Sequence, residues 1–123
     1  MTSTTLLDAA ARAFAMVSYS DGRLELTERA RFGKFAAADP ALSKLNQADV
    51  PDAWSEAIAE VQSSPSFGDA LLAIRTTITS AVDKAVIMRT AQAALMADDR
   101  IEEQENVAIS ELAKALGLDP EAY

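Results

Sequence analysis

Apolar positions recur along this chain at the spacing of helices, not of strands. Leu7, Ala10, Phe14 and Val17 form one stripe, and Phe32, Phe35 and Ala36 form another. The stretch "VDKAVIMRTAQAALM" is apolar on most sides, which predicts a helix at the centre of the core. Val107, Ile109, Leu112 and Leu116 continue the pattern until Gly117, a natural position just past a helix end.

Polar punctuation sets the expected boundaries. Thr5 with Asp8, Ser66 with Asp69, and Ser80 with Asp83 each place a short acceptor side chain before a first turn. The acidic residue three positions later suits the positive end of the helix dipole. Asp39-Pro40 and the "DVPD" before Trp54 put proline in a first turn, where its missing N–H costs nothing. The reading is about seven helices, near 6–19, 26–38, 40–46, 52–62, 67–79, 82–97 and 103–116. The section 39–66 reads as short helices joining two better-defined helix pairs. No linker is long enough to separate a second domain, so residues 1–123 are expected to form one.

One short pattern occurs twice. "SDGRLELTERARFGKFAA" aligns with "ADDRIEEQENVAISELAK". Asp21 meets Asp98, Arg23 meets Arg100, Glu25 meets Glu102 and Glu28 meets Glu105. Downstream, Phe32 meets Ile109, Phe35 meets Leu112 and Ala36 meets Ala113. Each copy reads as helix, acidic turn, helix, an internal repeat. The turn matches the second half of a calcium-binding EF-hand loop. The first and third positions of such a loop need oxygen ligands, and here they are Val17 and Tyr19, or Ala94 and Met96. A working EF-hand is therefore not expected.

Composition narrows the chemistry. The chain has 123 residues, half of them apolar, enough for one core and against disorder. It has no cysteine and no histidine. That removes disulfides, thiolate and imidazole metal sites, cysteine nucleophiles and the Ser-His-Asp arrangement. No phosphate-binding glycine loop or nucleophile elbow is present, so no catalytic residue is assigned and the chain reads as non-enzymatic. The net charge of −8 disfavours nucleic acid and favours cations or basic protein partners. The N-terminus does not read as a signal peptide, and Arg89 interrupts the best candidate membrane span. The expectation is a cytoplasmic protein with no membrane insertion. Trp54, Met16, Met88 and Met96 are expected in the core.

At the repeated stretches the chain resembles a known family. "AFAMVSYSDGRLELTERARF" and "AALMADDRIEEQENVAISELAKALGLDP" are similar to the TerB family of tellurite-resistance domains, whose fold also occurs in the N-terminal region of a DnaJ-type co-chaperone. The resemblance covers essentially the whole chain. It implies an all-α fold, a stress-response role without established catalysis, and cytoplasmic action, often near membrane-associated partners. It also implies divalent metal binding through acidic residues, which carry over as Asp21, Glu28, Asp98 and Glu105. Asp99 replaces the second turn glycine, and Arg23 and Arg100 dilute the negative charge, which departs from the metal pattern.

Two readings of these four carboxylates follow. In one they cap helices and close turns, leaving a protein-interaction or co-chaperone-type module. In the other the two corners converge and need a hard divalent cation, Ca²⁺, Mg²⁺ or Mn²⁺, to relieve their repulsion.

Overall fold

The computed structural model describes residues 2–19, 27–45, 47–63, 68–96 and 103–118. The fold is all-α. Six α-helices appear among these residues: α1 Thr2–Tyr19, α2 Thr27–Ala38, α3 Val50–Ser63, α4 Gly68–Thr77, α5 Ala81–Met96 and α6 Glu103–Ala115. Two single turns of 3-10 helix, Leu42–Lys44 and Gln47–Asp49, join α2 to α3. No strand is present among the described residues.

The count differs from the expected seven because the segment 40–46 does not form an α-helix. Its start is well capped: the Asp39 carboxylate accepts from the N–H groups of Ala41 at 3.0 Å and Leu42 at 3.3 Å. Its continuation fails. Leu45 turns extended at ψ 166°. The Gln47 side-chain amide donates to the carbonyl of Leu42 at 2.9 Å, the acceptor that a continuing helix would use. Leu42 itself is fully buried and pins the turn.

The centre of the core also differs from expectation. It belongs to α1, which contacts all five other α-helices. Leu7, Ala9, Ala10, Ala11, Ala13, Phe14, Ala15, Met16 and Val17 are all buried, so this helix is enclosed around most of its circumference, with Asp8 and Arg12 half-buried on the remaining strip. Its alanines keep its cylinder thin, which brings neighbouring helices close. The expected central helix, α5, packs on α1 and buries Val86, Ile87, Met88, Ala91 and Ala94 but keeps Val82, Ala85, Arg89 and Gln92 exposed. Helix α1 begins at Thr2, not near Leu6, so Thr5 lies inside it and is not its cap.

Three aromatic rings tie α1, α2 and α3 together. Phe14 meets Phe32 and Trp54 edge-on, with centroids 5.4 and 5.8 Å away, and Phe32 stacks on Trp54 at 5.4 Å. Each such pair adds roughly 0.5–1.5 kcal/mol beyond the area it buries. Trp54 is 5% exposed, a core anchor as expected.

Several local signals act as read. The Ser80 hydroxyl accepts from the Asp83 N–H at 3.1 Å and caps α5. Pro51 stands in the first turn of α3. Gly117 has φ +74°, its N–H reaches the carbonyl of Lys114, and the Leu118 N–H reaches that of Ala113 at 2.8 Å. That is a Schellman close on α6. The expected cap of Ser66 on Asp69 lies outside the described residues.

Candidate functional site

Of the four candidate ligands, Glu28 alone has a described side chain. Asp21 and Asp98 lie outside the described residues. Glu105 lies in α6, where only its helical backbone is described.

Glu28 stands in the first turn of α2, where the helix dipole favours a carboxylate. It is 8% exposed, unusually buried for an acid. The Ser18 hydroxyl, near the end of α1, donates to its Oε2 at 3.2 Å. Arg31, one turn further along α2, donates from Nη1 to its Oε1 at 3.4 Å. The side chain thus bridges the last turn of α1 and the first turn of α2, on either side of the first acidic turn. The Ser18 contribution could be read from its place in "SYSDGRLELTE", one helical turn ahead of the acidic residues.

The second charged feature was not anticipated. Asp39, 5% exposed, receives Arg89 across the fold: Nε to Oδ1 at 2.9 Å and Nη2 to Oδ2 at 3.2 Å. Burial works to raise the Asp39 carboxyl. The Arg89 hydrogen bonds and the N–H groups of Leu42 and Ala41 outweigh it and hold the carboxyl below its ordinary value. The same hydrogen bonds raise Arg89. The sequence carried one signal of this pair, a cation interrupting the apolar helix at Arg89.

A third group lies along the seam of α1 and α3. Arg12 donates from Nε to Glu60 Oε2 at 3.1 Å. The other Glu60 oxygen is buried without a hydrogen-bond partner among the described residues. Burial raises the nearby Asp8 carboxyl, Arg12 opposes that, and Glu56 and Asp49 add to it. Among the described residues no three metal-ligating side chains converge closely enough to hold an ion. No described helix is long and apolar enough to cross a membrane.

Residues 7–123 match the protein family described as Tellurite resistance protein TerB. The chain belongs to the TerB family. No curated protein and no solved structure matches it. The family match runs from the start of the buried α1 stripe through α6 and beyond, so it takes in α2 to α6 whole and α1 from Leu7 onward. This is a tellurite-resistance-type domain. Of the four acidic residues that the resemblance singled out, Glu28 is a buried carboxylate that receives a hydroxyl and a guanidinium.

Proposed function

We propose that this TerB domain is a non-enzymatic, cytoplasmic stress-response module that acts by binding, with a divalent cation held at its acidic corners. The observation that carries the reading is Glu28, a carboxylate kept buried between two helices at considerable desolvation cost. The donor set fits a hard ion: the Glu28 carboxylate and Ser18 hydroxyl are oxygen donors, suited to Ca²⁺, Mg²⁺ or Mn²⁺. Arg31 competes for the same carboxylate. Its contact is long at 3.4 Å and its side chain is 41% exposed, so it can swing into solvent as the ion enters. Asp21, Asp98 and Glu105 would complete the ligand set.

A second reading rests on the same contacts. Glu28 already has a hydroxyl and a guanidinium on its two oxygens, which supports a lock that joins α1 to α2 without any ion. The domain would then be a protein-interaction or co-chaperone-type module, with a basic or membrane-associated protein as partner of its acidic faces.

The experiment is a titration of metal-free protein with Ca²⁺, Mg²⁺ and Mn²⁺, read by backbone amide NMR. The Glu28→Gln variant and the Asp21→Asn, Asp98→Asn double variant run alongside. Saturable shifts at residues 20–29 and 97–106 together, lost in both variants, are expected for the cation site. A folded protein that shows no shifts at millimolar metal leaves the lock.

A further inference from the structure

We draw no further inference here: the strongest candidate, the open hollow between α4 and α6 lined by Leu71, Leu72, Arg75, Glu111 and Lys114, carries nothing, because both signs of charge line it together and nothing in the structure shows what covers it.

Discussion

Asp39 and Glu28 are both buried acids, 5% and 8% exposed, and both face an arginine, yet they are held very differently. Asp39 takes two hydrogen bonds from an arginine fifty residues away, at 2.9 and 3.2 Å, and two more from backbone N–H groups. Glu28 receives an arginine of its own helix at 3.4 Å and the Ser18 hydroxyl at 3.2 Å, both local to the α1–α2 corner. Forked, charge-assisted geometry over a long chain separation makes a staple of the first. The Arg31 contact on Glu28 is longer and lies within one helix. A fold that needs a buried acid for stability saturates its oxygens.

The largest expected effect that tests this contrast is Asp39→Ala. It removes a turn cap and the charge-assisted pair together, and should cost roughly 3 kcal/mol by urea denaturation. Arg89 is 45% exposed and returns to water, so the penalty for a stranded cation stays small. Glu28→Gln keeps shape and one acceptor, and should cost about 1 kcal/mol in the same measurement. A larger loss from Glu28→Gln than from Asp39→Ala would invert the comparison.

Acid sharpens the contrast. Asp39 is lowered from its ordinary 3.8 in the fold, so its contribution is complete above that value and is lost as pH falls through the lowered one. Wild-type stability followed from pH 7 to pH 2 should therefore fall more steeply at the acid end than that of Asp39→Asn. Parallel curves would remove Asp39 from the account. The smallest effect is expected at Asp8, whose carboxyl is raised by burial, so its charged form disfavours the fold. Asp8→Asn should be slightly more stable than wild type at neutral pH, with the gain fading as pH falls through the raised value towards 3.8. A destabilised Asp8→Asn at pH 7 would show that Arg12 outweighs burial there.

What could be read from the sequence was local. The Ser80 cap, Pro51 in a first turn and Gly117 past α6 each depend on contacts within a few residues, and each stands as read. The helical class followed from periodicity, and the family from the paired acidic stretches. What could not be read depends on distant partners. The break at Leu45 needs the Gln47 amide, and the staple needs Arg89 to arrive beside Asp39. The alanines of α1 looked like one face of an amphipathic helix until five neighbours enclosed them.

The enclosure of α1 also governs how the domain comes apart. No outer helix can detach fully without wetting apolar surface on α1, and α1 cannot open while the others remain in place. Amides from Ala9 to Val17 should therefore exchange with solvent only through complete unfolding, as one cooperative unit. Their exchange rates would measure the stability of the whole domain.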